Sequence, residues 1–234
     1  MNFGTIVGSD VTQEWLLPWW WDHYRRHNDL PVTFFDFGMS ESMQEWCKAR
    51  GPFVRLGMHH FFVVEKEEIP IDHVTKWEKD HGKQFWENRA GWFKKPLACI
   101  RTPYQKTIWL DLDCEVRGSL RELFGLCDDR IVIAEEQNGP CGVNSGVIVF
   151  QKGSPLIQEW ADRSIRETEL FPGDQDVLSA ILREREIDFV RLPPLYNWSR
   201  ISGDQERAVV YHWHGQHGKT VIRHQITKSL SGLL

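Results

Sequence analysis

Thr107-Ile108-Trp109-Leu110-Asp111-Leu112-Asp113 runs four strand-forming residues into two carboxylates one residue apart. Successive side chains of a strand point to opposite faces, so this stretch places Asp111 and Asp113 on one face while Trp109 and Leu110 stay in the core. Two carboxylates side by side at the end of a buried strand repel each other and lose hydration. A divalent ion that prefers oxygen ligands removes both penalties. The competing reading is a polar strand end in which Asp113 caps the next turn.

Strand and helix signals alternate on either side of this stretch. Residues 3–8 read as a strand closed by Gly8-Ser9-Asp10, followed by a helix over about 12–27 with Pro18 inside it. Residues 32–37 form a second strand, and Ser40 caps a helix that ends at Gly51. Strands at 53–56 and 61–64 precede a helix over 84–100. Beyond the acidic stretch come a helix at 120–126, strands at 131–134 and 147–150, helices at 155–167 and 174–183, and a last strand at 209–213. This alternation predicts an α/β fold with one mostly parallel sheet flanked by helices on both faces. Its ligand crevice opens at the carboxyl ends of the strands, where Asp111 and Asp113 sit. At 234 residues the chain fits a single domain over residues 1–234.

Composition narrows the partners. A net charge of -5 argues against a nucleic acid held by its phosphates. The five cysteines are scattered without a C-x-x-C pair, which points to reduced thiols rather than a zinc or redox site. The first residues lack a basic start followed by an apolar core, and no apolar run approaches a membrane span, so the expected location is cytoplasmic. On that ground the acceptor pattern Asn197-Trp198-Ser199 is read as chance. The twelve tryptophans fall in helical patterns such as Trp15, Trp19 and Trp20, or Trp77, Trp86 and Trp92, which reads as core packing.

A second group of candidate ligands lies in Tyr211-His212-Trp213-His214-Gly215, where His212 and His214 share a strand face. One neutral imidazole added to two carboxylates suits manganese or a similar divalent ion; half-buried histidines satisfied by backbone carbonyls are the alternative. Just downstream, the glycines of Gly215-Gln216-His217-Gly218-Lys219-Thr220 allow close backbone approach, and Lys219 can neutralise a phosphate. The segment nearly matches the phosphate loop of nucleotide hydrolases, but Trp213 stands where that motif requires glycine. Asn144-Ser145-Gly146, after Gly139-Pro140-Cys141-Gly142, places a small amide beside glycines just before a strand, where backbone can touch a ligand. Asp174 and Asp176 open a helix, the first as N-cap and the second favoured by the helix dipole.

Taken together, these residues resemble the nucleotide-sugar glycosyltransferases of the GT-A fold, most closely the retaining family 8 group that includes glycogenin and bacterial lipopolysaccharide galactosyltransferases. The D-x-D motif of that group appears as Asp111-Leu112-Asp113, its asparagine-small-glycine strand entry as Asn144-Ser145-Gly146, and its D-Q-D helix start as Asp174-Gln175-Asp176. Its tail motif H-x-x-G-x-x-K begins at His212 and reaches Gly215, with the lysine one place later at Lys219. Leu192-Pro193 and Tyr196-Asn197 match a common segment before the tail.

The resemblance implies a Rossmann-like GT-A sheet and transfer of a hexose, with retention, from a UDP-sugar to a hydroxyl of a glycan or lipid-linked acceptor. It implies Mn2+ or Mg2+ on Asp111, Asp113 and His212. Donor contacts would come from Val7, Gly8, Asp10, Lys95, Leu112, Asn144, Ser145, Gly215 and Lys219, with Asp174 and Gln175 at the reacting sugar. Two other readings stay open at this stage: a catalytically idle nucleotide-sugar-binding module, and a phosphate-loop hydrolase. The last segment carries Ile222, Ile226, Leu230 and Leu233 at near-helical spacing beside Lys219, Arg223 and Lys228. It either covers the core or touches an anionic membrane surface.

Overall fold

The computed structural model describes residues 2–57, 63–136 and 142–231. Its main sheet contains β1 (Phe3–Ser9), β2 (Val32–Asp36), β3 (Phe53–Arg55), β4 (Lys106–Leu110), β6 (Val132–Glu135), β7 (Val143–Gln151) and β8 (Val190–Arg191), in the spatial order β3-β2-β1-β4-β7-β6-β8. All neighbouring pairs are parallel except those made by β7, which runs antiparallel to both β4 and β6. A small second sheet orders β5 (Cys114–Val116), β10 (Val210–His212) and β9 (Trp198–Ser199) as β5-β10-β9. The helices are α1 (Leu17–His27), α2 (Glu41–Lys48), α3 (Ile71–His81), α4 (Phe85–Cys99), α5 (Leu123–Leu126), α6 (Pro155–Arg166), α7 (Asp174–Glu184) and α8 (Gly215–Ser231).

The central strands are apolar on both faces because both faces are covered. Val7, Ile108, Leu110 and Val147 join Trp20 and Tyr24 of α1, Leu123 of α5 and Ile222 of α8 in one core. Ile6, Trp109, Ile148 and Phe150 face the other way, onto Phe93 and Leu97 of α4, Trp160 of α6 and Val177 and Ile181 of α7. The tryptophans at helical spacing do pack inward: Trp19 and Trp20 lie in the first core, and Trp77 lies in a smaller cluster with Phe85, against which Trp86 and Trp92 pack.

Several boundaries differ from expectation for local reasons. The helix expected over 12–27 begins only at Leu17. The Asp10 carboxylate captures the Thr12 amide and hydroxyl at 2.9 and 2.6 Å, a short 3-10 turn follows, and Pro18 occupies the first turn of α1, where its missing N–H costs nothing. Ser40 caps α2 as expected, its hydroxyl accepting from the Met43 amide at 3.3 Å. The strand expected at 61–64 falls partly on residues 58–62, outside the described residues, as do residues 139–141 and Leu233. Asn144-Ser145-Gly146 does not precede a strand but lies inside β7. There the register jumps from Ile133↔Ile148 to Ala134↔Asn144, so Ser145, Gly146 and Val147 have no partner on β6 and the strand bulges. The glycine-rich stretch 215–220 is not a loop but the opening of α8. Gly218 permits this, since a Cβ there would collide with the Trp213 carbonyl. Among the described residues, no helix is long and apolar enough to cross a membrane.

Candidate active site

The chain leaves β1 for β2 and β3 on one side, while β4 pairs on the other, and at such a switch point a crevice opens beyond the carboxyl ends of the strands. Here a cleft of about 580 Å³, counted to its open mouth, is lined by Gly8, Ser9 and Asp10 at the end of β1, by Asn88, Trp92 and Lys95 of α4, by Asp111, Leu112 and Asp113 after β4, and by Lys219 of α8. A wider cavity of about 1360 Å³, counted to its open mouth, shares Asn88, Trp92, Lys95, Asp111, Asp113 and Lys219 with it. This second space continues past Asn144, Ser145, Asp174, Gln175, His212, His214 and Gly215. Of the residues expected at the site, only Val7 lines neither space. It is fully buried against the α1 side of the sheet, and its neighbours Gly8 and Asp10 face the cleft instead.

The acidic pair is arranged differently from a strand end. β4 stops at Leu110; the Asp111 amide donates to the Gly146 carbonyl at 2.8 Å and the Cys114 amide to the Asp111 carbonyl at 3.1 Å, so the segment turns. Strand alternation therefore does not extend to Asp113; both carboxylates line the same two spaces, but each finds its own partner. Asp111 lies 3.0 Å from the Lys95 ammonium and accepts from Trp109 Nε1 at 2.7 Å. Asp113 Oδ1 lies 3.3 Å from His212 Nε2. The second sheet brings this last pair together: His212 pairs with Cys114 across β10 and β5, and the Trp213 amide donates to the Asp113 carbonyl at 3.0 Å.

Lys95 is the centre of a charged cluster. Its ammonium meets Asp111, Asp174 Oδ2 at 3.2 Å and Ser145 Oγ at 3.0 Å, while Ser145 Oγ donates to Asp174 at 3.1 Å. Burial works against the lysine charge, but the two carboxylates outweigh it and hold the ammonium pKa above its ordinary value. Two carboxylates share this one cation. Burial pushes Asp174 up to about 6, with Lys95 pulling the other way. Asp174 is thus not the helix cap expected for it; Gly173 takes that position. Gln175 Oε1 accepts from the Ser145 amide at 2.8 Å, which ties the start of α7 to the β7 bulge.

The two histidines separate in role. Burial disfavours the charge on Asp113, yet its hydrogen bond to His212 and the charges of His212 and Lys219 hold its carboxyl well below the usual carboxylate range. His214 faces Ser199 instead, with Nε2 2.7 Å from the hydroxyl, and burial followed by the neighbouring His212 pushes its pKa down to about 4. Cys114 Sγ, Asp113 and His212 offer ligand atoms all within 4.8 Å of one another. Burial pushes the Cys114 thiol well above its ordinary pKa, so it stands behind the pair as a neutral group.

No protein-family model and no curated protein sequence matches the chain. Mouse xyloside xylosyltransferase 1 superposes on 91% of this chain and 97% of its own, with a TM-score of 0.56 at 17% identity. Glycosyltransferase GlyE of Streptococcus pneumoniae TIGR4 covers 92% of this chain with 55% of its own, at a TM-score of 0.61 and 18% identity. Galactosyltransferase LgtC, in complex with donor and acceptor sugar analogs, covers 92% of this chain with 90% of its own, at a TM-score of 0.55 and 15% identity. This chain has the GT-A fold.

Within this GT-A fold several polar groups at the site carried no assigned role in the sequence. Trp109 alternates into the α4 side of the sheet and anchors Asp111 through its indole N–H. Trp160 Nε1 donates to the Asp174 carbonyl at 2.7 Å, and Asn197 meets both Asn144 and His212 at 2.9 Å. Only the Tyr196-Asn197 dipeptide could have signalled one of these contacts, and it names no partner.

Proposed function

We propose that this protein is a metal-dependent glycosyltransferase that moves a hexose from a UDP-sugar to a hydroxyl of a glycan or lipid-linked acceptor with retention at the anomeric carbon. The observation that carries this reading is the meeting of Asp113 and His212 on the wall of the switch-point crevice. Carboxylate oxygens and one imidazole suit manganese or magnesium, and Asp111, across the same cavity, would complete the set on releasing Lys95. Bound there, the ion would supply charge neutralisation to the departing diphosphate.

The chain's own residues account for the remaining steps. Gly215 and Gln216 open α8 on the cavity wall, so the positive end of that helix and Lys219 favour an anion between them. Gly8 and Asp10 line the opposite part of the cleft, where the nucleoside would lie. Asn144, Ser145 and Asp174 surround the space for the transferred sugar, and Lys95 holds Asp174 and the β7 bulge in place. Gln175 is a poor nucleophile because it is an amide, and its oxygen is already engaged by Ser145. Both features favour front-face departure and attack over a covalent intermediate on Gln175.

The test supplies UDP-glucose and UDP-galactose with and without MnCl2 and measures UDP release and sugar transfer. Manganese-dependent release that Asp113→Asn abolishes is the expected result. Donor binding without release or transfer would make the protein an idle nucleotide-sugar-binding module, and no binding of any common donor would remove the reading.

A further inference from the structure

Beside the candidate metal ligands, three polar side chains form a relay whose hydrogen positions follow from one backbone donor. The Gly146 amide donates to the side chain of Asn144 at 2.9 Å, and a backbone N–H can only donate, so the receiving atom is Oδ1. The same oxygen lies 2.9 Å from the carboxamide of Asn197. Two carbonyl oxygens at that distance repel, so Asn197 presents its Nδ2 there. Its Oδ1 must then face the other way, where it lies 2.9 Å from His212 Nδ1. An amide oxygen is acceptor only, so the proton between them belongs to the imidazole.

We propose that Asn197 is a positioning residue that holds a proton of His212 on Nδ1, so that Nε2, which faces Asp113, is the nitrogen that would give up its proton to a metal. This deepens the proposed function and rests on it for the metal. The arrangement is local and rigid. β9 pairs with β10 so that Ser199 lies opposite His212, which sets Asn197 beside the ring. The other side of the ring rests on Gly146, where an added Cβ would come within 2.6 Å of Nδ1. Asn144, Gly146, Asn197 and His212 thus form one unit in which the glycine gives the ring room and its amide sets the direction of every hydrogen bond. A metal-bound histidine gains basicity and a fixed orientation when its second nitrogen donates to an acceptor, and losing that acceptor typically weakens metal binding about 10- to 100-fold.

NMR of 15N-histidine-labelled protein without metal reads the inference directly. His212 Nδ1 is expected to carry a protected proton in the wild type and in Asn197→Asp, which keeps an acceptor oxygen, and to lose that protection in Asn197→Leu, which keeps the volume alone. Calorimetric titration with MnCl2 is expected to show binding about 10- to 100-fold weaker in Asn197→Leu. Should that variant fail to fold, Asn197→Ala supplies the same comparison. A wild-type ring without a proton on Nδ1 overturns the assignment, and so does an Asn197→Leu protein that keeps both the protected proton and the wild-type Mn2+ affinity. If the wild type itself takes up no Mn2+, the proposed function falls, and the NMR result alone decides the role of Asn197.

Discussion

Gly146 lies directly against the imidazole of His212, so closely that a methyl group on its Cα would overlap the ring. Gly146→Ala is therefore expected to displace His212 from Asp113. Overpacking a buried strand of this kind costs about 1–3 kcal/mol. Urea unfolding should show that loss, and Mn2+ affinity should fall further than the stability change alone explains. A variant with wild-type stability and metal affinity would show that the ring has room to spare.

Lys95 neutralises the buried carboxylate of Asp174 and the partly exposed one of Asp111, and Lys95→Met leaves them facing each other. Breaking a buried ion pair by removing one partner costs about 3–5 kcal/mol, and that loss is expected at pH 8. The sign with pH is set by Asp174. Its folded pKa of about 6 already exceeds the ordinary 3.8 and rises further without the lysine, so the folded form holds a proton that the unfolded chain releases. Its contribution to stability is complete below 3.8 and lost as pH rises through the folded value. The variant should regain stability when urea unfolding is repeated at pH 5.

His214 behaves in the opposite sense. Its folded pKa of about 4 lies below the ordinary 6.5, so the folded state resists a proton that the unfolded chain accepts. The stability it contributes is complete above pH 6.5 and is lost as pH falls through 4, up to about 3 kcal/mol across that window. Unfolding curves for His214→Gln should lack this part of the acid slope.

Asp113→Asn keeps the shape of the side chain and removes its charge. Transferase turnover is expected to fall by about 100- to 1,000-fold, the range seen when one group that stabilises developing charge is removed. In the wild type, chelation should stop turnover and added Mn2+ restore it, whereas added Mn2+ should leave the variant inactive. Rescue of the variant to wild-type rates would place the metal elsewhere.

Much of the fold was legible in the chain because its signals are local. Runs rich in strand formers such as Thr107 to Leu110 read as strands covered on both faces, and Ser40 caps its helix wherever that helix lies. The spacing of strands and helices led to the parallel sheet and to a crevice after β4. Local signals failed where a distant partner decided the outcome. Asp111 is tied to Lys95 and Asp113 to His212, and the burial of Asp174 depends on Lys95 and Trp160.

By itself the sequence determined the α/β layering, the helix that carries Gln175 and the strand that carries His212, and the placing of the acidic pair after β4, because apolar periodicity and caps act within a few residues. Only the tertiary structure decided that Asp111 pairs with Lys95 while Asp113 pairs with His212, and that Asn197 Oδ1 lies against His212 Nδ1. Those contacts are fixed by the register of β5, β10 and β9 and by the β7 bulge. Register between strands far apart in the chain is chosen by packing of the whole core, which no single segment encodes.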